Sequence, residues 1–301
     1  MNQLKQQTAR LSVISNTLLV LLKLVVGFYS GAVSIVSEAA HSGVDLIAAL
    51  VAFYAVRKSG KPPDTHHAYG HGKIENLSGA IEAALILAAA LWIVYEALGK
   101  LAVAKSPEFI GWGIAVMMVS MATNWWVSSR LFKVGRQTGS DALEADAIHL
   151  RADIWTSLGV LIGLAAIQIT GLAWLDPAIA IAVALVVFRA GYKMTKKSLY
   201  ELTDVSLPDE EEAVIRQILT SHPEVIDYHR LRTRRSGSRR LIDVHLVLFK
   251  DMHLDKAHTV CDDIENEIEI ELAPCEVIIH LEPCGYHPDR GGCPLPLGEK
   301  K

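Results

Sequence analysis

Residues 33–56 read VSIVSEAAHSGVDLIAALVAFYAV, and residues 145–170 read ADAIHLRADIWTSLGVLIGLAAIQIT. Each run exceeds the ~20 residues that cross a hydrocarbon core. Each also carries a histidine and an aspartate four positions apart: His41 with Asp45, and His149 with Asp153. Positions i and i+4 share one helix face, so the two segments present the same pair of side chains. An aspartate near the centre of a span costs about 3 kcal/mol on insertion scales, and two of them oppose insertion by roughly 6 kcal/mol unless something compensates. A bound cation compensates. Two imidazole nitrogens and two carboxylate oxygens form an N2O2 set that suits tetrahedral Zn2+ and is too rich in nitrogen for Mg2+ or Ca2+. One His-Asp pair alone reads equally well as an interhelical hydrogen bond; the repetition favours a metal.

Outward from these two segments, apolar runs at 11–29, 77–98, 109–131 and 173–191 complete six expected transmembrane helices. With 51% apolar residues and a positive mean hydropathy, the 301-residue chain is not disordered, and its net charge of -4 argues against a nucleic-acid partner. Basic residues collect at Lys5 and Arg10, at Arg57, Lys58, Lys61 and Lys73, at Arg130, Lys133 and Arg136, and at Arg189, Lys193, Lys196 and Lys197. The positive-inside rule then places both termini in the cytoplasm and the turns near Gly31, Ser106 and Gly171 outside. Only 12 of the 33 acidic residues precede Tyr200, so the acidic remainder is expected in the cytoplasm. The polar start and the lack of a cleavage site after it read as a retained first span and a prokaryotic cell inner membrane. The four cysteines, Cys261, Cys275, Cys284 and Cys293, show no regular disulfide spacing, and a chain without disulfides is expected.

From Pro208 the periodicity changes. A helical pattern over 210–220 is followed by alternating runs at 228–233 and 241–249 around the turn signal Ser236-Gly237-Ser238, which predicts a hairpin. A second helix over 255–272 and a strand over 276–281 give an αββαβ order, a cytoplasmic α+β ferredoxin-like domain with helices on one face of a sheet. The expected organisation is a six-helix transmembrane domain at 1–207, this domain at 208–283 and a Cys-, Gly- and Pro-containing tail at 284–301. Cys284, His287 and Cys293 could join Cys275 in a tail metal site, but their spacing is not a standard zinc pattern and a solvated tail is the better reading.

Glu38, Glu82, Glu96 and Lys23 also fall near or within spans. They read as snorkelling to an interface or pairing between helices, outside the metal site. Gly70-His71-Gly72-Lys73 is too short for a phosphate-binding loop and lacks its hydroxyl. Expelling a divalent ion against an inside-negative potential costs about 4.6 kcal/mol per 100 mV, at ~2.3 kcal/mol per charge, and an ion gradient must supply it. Protons compete with metal for the same His and Asp side chains, so proton antiport follows. An intramembrane zinc metalloenzyme is the weaker alternative: four protein ligands close the shell, and no His-Glu-x-x-His helix occurs. A non-transporting metal receptor or scaffold of the same fold is the other.

These residues resemble the cation diffusion facilitator family over most of the chain. The resemblance is carried by the stretch from Ser30-Gly31 through Asp45, the loop Asp64-Thr65-His66-His67-Ala68-Tyr69-Gly70-His71-Gly72-Lys73, the run Glu144-Ala145-Asp146-Ala147-Ile148-His149, and Val277-Ile278-Ile279-His280. It implies a homodimeric zinc-type transporter that exchanges divalent metal for protons, with His41, Asp45, His149 and Asp153 as the transport site. Bacterial relatives often carry aspartate where His41 stands, and the histidine form resembles zinc-restricted members. The resemblance also implies a further zinc site at Asp64, His67 and His71. In the cytoplasmic domain it implies a zinc cluster near the dimer contact, made by His229, His245, His258, His280 and Glu282. Glu282 stands where aspartate is usual, which lengthens that ligand arm.

Overall fold

The structure, a computed structural model, describes residues 2–30, 33–102, 111–170, 172 and 174–285. The expected turns near Gly31, Ser106 and Gly171, together with His287 and Cys293, lie outside the described residues. The chain divides into two compact units, Met1–Leu202 and Thr203–Lys301.

The first unit is built from six long helices: α1 (Asn2–Ser30), α2 (Val33–Ser59), α3 (Lys73–Ala102), α4 (Gly111–Thr138), α5 (Asp141–Thr170) and α6 (Leu175–Leu202). The shortest, at 27 residues, is about 40 Å long at 1.5 Å per residue, which exceeds a hydrocarbon core of ~30 Å. Several run well past the apolar stretches that announce them: α1 begins at Asn2 and α6 continues to Leu202. Hydropathy marks only the part of a helix that lipid would surround, while intrahelical hydrogen bonds carry the helix on into water. Among the described residues, three segments, Asn2–Tyr29, Lys73–Gly99 and Pro177–Leu202, are long and apolar enough to cross a membrane by length and composition alone.

The packing of this unit is inverted relative to a water-soluble bundle. Small residues fill many of the helix contacts, among them Ala9, Ala48, Ala49, Ala52, Ala83, Ala90 and Ala145, while Leu18, Phe28, Ile47, Tyr95, Trp126 and Leu185 are exposed. Where lipid replaces water, close backbone approach takes over from apolar burial as the source of helix association. At Gly159 on α5 an added Cβ would stand 2.7 Å from Val183 Cγ2 on α6, so only glycine allows that approach.

A buried polar cluster ties one end of this bundle together. Lys5 on α1 reaches Glu75 on α3 at 3.1 Å, with both side chains almost wholly buried. Ser59 at the end of α2 and Ser140, just before α5, donate to the same carboxylate. Beside it Asn76 donates to Asp141 and Glu201, and Lys197 on α6 pairs with Asp141 at 2.7 Å and Glu144 at 2.9 Å.

The second unit follows the expected order: α7 (Asp209–Ser221), β1 (Val225–Ser236), β2 (Arg239–Leu248), α8 (Leu254–Leu272) and β3 (Cys275–Pro283). The sheet order is β1-β2-β3, with β1 antiparallel and β3 parallel to the central β2. Gly237, at φ +60°, makes the hairpin turn in a conformation open to glycine. Ile215, Ile218 and Leu219 of α7 and Val260, Ile264, Ile268 and Leu272 of α8 recur at helical spacing and pack on Ile242, Val244, Leu246 and Leu248 of β2. Glu211 in the first turn of α7 clamps the hairpin through Arg235 and Arg240. Its carboxyl is held below the usual carboxylate range, first by the hydrogen bond from Arg240 and against a smaller opposing effect of burial. Cys261 and Cys275 are free, but Cys284 is disulfide-bonded. This corrects the expectation of a chain without disulfides and removes that sulfur from any tail metal site.

Candidate metal centres

Alternation of side chains along β2 sends Val244, Leu246 and Leu248 into the core and His245 to the opposite face of the sheet. Register then makes a row. His229 on β1 pairs directly with His245, and His245 pairs with His280 on β3. Their ring centroids are 5.2 Å and 4.6 Å apart respectively. Glu282, two positions beyond His280 and so on the same face, is buried and places Oε1 2.6 Å from His245 Nδ1 and Oε2 3.3 Å from His229 Nε2. The ligand atoms of His229, His245 and Glu282 all lie within 4.8 Å of one another. His280 stands at the rim, 3.9 Å from Glu282 Oε1. His258 is elsewhere within this chain: it is exposed on α8 and faces Asp262 at 3.5 Å. Arg230, at φ +51°, and the register shift between His229 and Arg232 mark a bulge immediately after the first of these ligands.

The loop between α2 and α3 gathers a second group. The Asp64 carboxylate accepts the backbone N–H groups of His66 at 2.9 Å and His67 at 2.8 Å. This folds the loop back so that His67 Nδ1 and His71 Nε2 stand 3.4 Å and 3.2 Å from that carboxylate. Gly70, at φ +79°, makes the turn between the two histidines. Asp64 titrates below the usual carboxylate range, chiefly because the His67 amide stabilises its ionised form. Asp64, His67 and His71 form a group whose ligand atoms lie within 4.8 Å of one another.

The third group lies inside the helical unit, where α2 packs against α5. His41, Asp45 and Asp153 bring their ligand atoms within 4.8 Å of one another, and His149 Nε2 stands 3.2 Å from Asp45 Oδ1. All four line one cavity of about 620 Å3. Asp45 and His149 are buried, Asp153 is half-buried and His41 is exposed to the cavity. The three grouped side chains can present one nitrogen and two carboxylate oxygens to one ion, with His149 beside Asp45, and their anionic charge favours a divalent cation.

Three of the four ionisable groups set aside in the sequence can be placed. Lys23 is buried and bonds across to Ser42 on α2 at 2.7 Å, which is interhelical pairing, and it lines the cavity together with Glu96. Glu82 is fully buried, with Ser78 one turn earlier donating to it at 3.5 Å. It neither snorkels nor bonds to another helix, and it lies within electrostatic reach of Asp146 and His149. The side chain of Glu38 lies outside those described. Asn16, Ser120 and Asn124, polar positions on α1 and α4, complete the cavity wall and were not singled out in the sequence. Isolated polar residues within apolar runs are the signal that could have found them.

Residues 9–203 match the family model of the cation efflux transmembrane domain, and residues 207–284 match that of the cation efflux protein cytoplasmic domain. An uncharacterised transporter of Synechocystis sp. is 34% identical over 278 residues, 90% of each chain. The cation-efflux pump FieF of Citrobacter koseri is 32% identical over 294 residues, 96% of each chain. That of Escherichia coli is 32% identical over 280 residues, 91% of each chain. With matching models over both units and relatives matching nearly end to end, the chain belongs to the cation diffusion facilitator family: it is a membrane transporter of divalent metal cations, not an enzyme.

Proposed function

We propose that the protein exports Zn2+ from the cytoplasm through a tetrahedral site made by His41, Asp45, His149 and Asp153, in exchange for protons. The convergence of these four side chains from α2 and α5 in one cavity carries the reading. Imidazole and carboxylate in equal number suit zinc, and both must be deprotonated to bind it. A proton entering from outside therefore displaces the ion, and a proton gradient provides the driving force. All six long helices span the cell inner membrane, with both termini in the cytoplasm, and two chains associate as a homodimer. The loop group Asp64, His67 and His71 and the sheet-face group His229, His245, His280 and Glu282 hold zinc that regulates transport, with His258 added at the dimer contact.

The test is zinc uptake into inside-out vesicles with an imposed pH gradient. Uptake that rises with the gradient and collapses with an uncoupler is expected, and uptake indifferent to both would defeat the antiport reading. His41→Asp replaces a nitrogen by an oxygen, which hardens the ligand set. It should raise Mn2+ flux relative to Zn2+ by about an order of magnitude, read in competition assays; an unchanged preference profile would count against the site.

The sheet-face cluster belongs to a unit separate from the transport cavity. His245→Ala should therefore lower the zinc content of the purified dimer and slow flux a few-fold without abolishing it. Loss of flux as complete as at the intramembrane site would instead put the cluster on the transport path.

A further inference from the structure

Two carboxyl groups of the helical unit have no part in the transport reading. Glu82 on α3 is 0% exposed and Asp146 on α5 is 1% exposed, and neither lines the cavity of the intramembrane group. Packing brings them near one another just behind it. Their chain neighbours Ala83 and Ala145 share one buried cluster with Met194 of α6. Ile86, one turn on from Glu82, and His149, one turn on from Asp146, both line the cavity, so the pair sits one turn closer to the helix starts. Further in that direction lie Glu75 and Asp141 of the polar cluster.

Each carboxyl has one oxygen occupied and one not. Glu82 accepts from Ser78 and Asp146 from Ser12 on α1, while Glu82 Oε2 and Asp146 Oδ2 are buried without a hydrogen-bond partner. Among the described residues, the ionisable groups that act on the pair, besides its own members, are Asp45 of α2 and His149 of α5. No lysine or arginine acts on either carboxyl, and α6 brings only Met194 to the contact. Ionised together, the two would stand as anions in a low-dielectric interior, near a third carboxylate and a single imidazole. Holding one proton between them removes that cost.

The position behind His149 gives such a proton a use. A divalent ion entering at Asp45 and His149 brings positive charge within reach of both carboxyls and expels the proton; departure of the ion lets it return. The effect is reciprocal by linkage, so a proton on the pair favours release of the metal. Intramembrane carboxyls of this kind serve as proton relays in transporters generally.

We propose that Glu82 and Asp146 form a proton-carrying site separate from the metal ligands, which binds one proton when the transport site is empty and gives it up when metal loads. This rests on the assignment of His41, Asp45, His149 and Asp153 to transport and on proton antiport. With the starts of α3 and α5 in the cytoplasm, the site lies on the cytoplasmic side of the metal, where the counter-ion leaves.

The test uses the full-length protein in proteoliposomes and compares Glu82→Gln, Asp146→Asn and Glu82→Asp with the parent in two assays. Net Zn2+ uptake driven by a pH gradient needs the proton; exchange of labelled for unlabelled Zn2+ at equal pH does not. Either amide removes one negative charge for good, as the bound proton does reversibly, and each serves if the other variant fails to fold. The amide variants should lower net uptake by about tenfold while exchange stays within about twofold of the parent. Glu82→Asp keeps a titratable group and should retain net uptake. A pH dye in weakly buffered detergent solution gives a second reading: at saturating Zn2+ the amide variants should release about one proton fewer per chain than the parent.

Amide variants that couple uptake to the gradient as the parent does, and release as many protons, would overturn the proposal. So would loss of both net uptake and exchange in protein that elutes as the parent does, since the pair would then shape the metal site. Asp153→Ala and the parent, run alongside, separate the underlying readings. Exchange at the parent rate in Asp153→Ala defeats the site assignment, and parent uptake indifferent to the gradient defeats antiport. With both of those intact, unchanged coupling in the amide variants defeats only the role of the pair.

Discussion

Asp153→Ala should abolish zinc flux in proteoliposomes while leaving the protein folded. Asp153 is one of two anionic members of the intramembrane group, its carboxylate within 4.8 Å of the ligand atoms of His41 and Asp45. Its loss would take the proposed set from four ligands to three and halve the negative charge that makes a divalent ion welcome in a low-dielectric interior. Outer-shell partners of metal ligands alone are worth 10–100-fold in affinity, so losing a ligand itself should weaken binding by at least about a hundredfold. Folding should survive because the substitution removes an intramembrane charge, a change worth about 3 kcal/mol in favour of insertion. Flux at near the parent rate, in protein that elutes as the parent does, would sink the assignment.

Glu75→Ala acts on the other link, from packing to stability, and should destabilise the helical unit by roughly 3–5 kcal/mol, the usual cost of removing one partner of a buried ion pair. Lys5 Nζ, Ser59 Oγ and Ser140 Oγ all converge on this one carboxylate. The loss should appear as a fall of several degrees in the thermal midpoint of the detergent-purified protein. Replacing both charges, as Lys5→Met with Glu75→Met, should recover most of it, since a buried ion pair is often no more stable than apolar groups of similar volume. A single variant as stable as the parent would mean that the cluster does not hold the helix ends together.

The two kinds of information divide unevenly along the chain. Helix and strand identity was legible almost throughout, because each depends on a short period: apolar runs for the six long helices, alternation on β2, and 3–4 spacing on α7 and α8. The residue types of the candidate metal groups were legible too, since a histidine and an aspartate in an apolar run carry an insertion cost that demands a partner. Boundaries were not: α6 runs to Leu202, far beyond its apolar stretch, because backbone hydrogen bonding does not stop where hydropathy falls.

Which of these side chains meet was a different matter. The pairing of His229 with His245 and of His245 with His280 depends on strand register, and a shift of one residue would have sent any of them to the other face. The separation of His258 from that row, the convergence of Lys5 and Glu75 across 70 positions of chain, and the turn of Lys23 inward to Ser42 are likewise invisible to any local period. By itself the sequence determined which groups could not be left in lipid without compensation. Only the tertiary structure decided which groups compensate one another, because an ion pair or a ligand set is a matter of a few ångströms in space, and that distance is set by how helices pack and strands align.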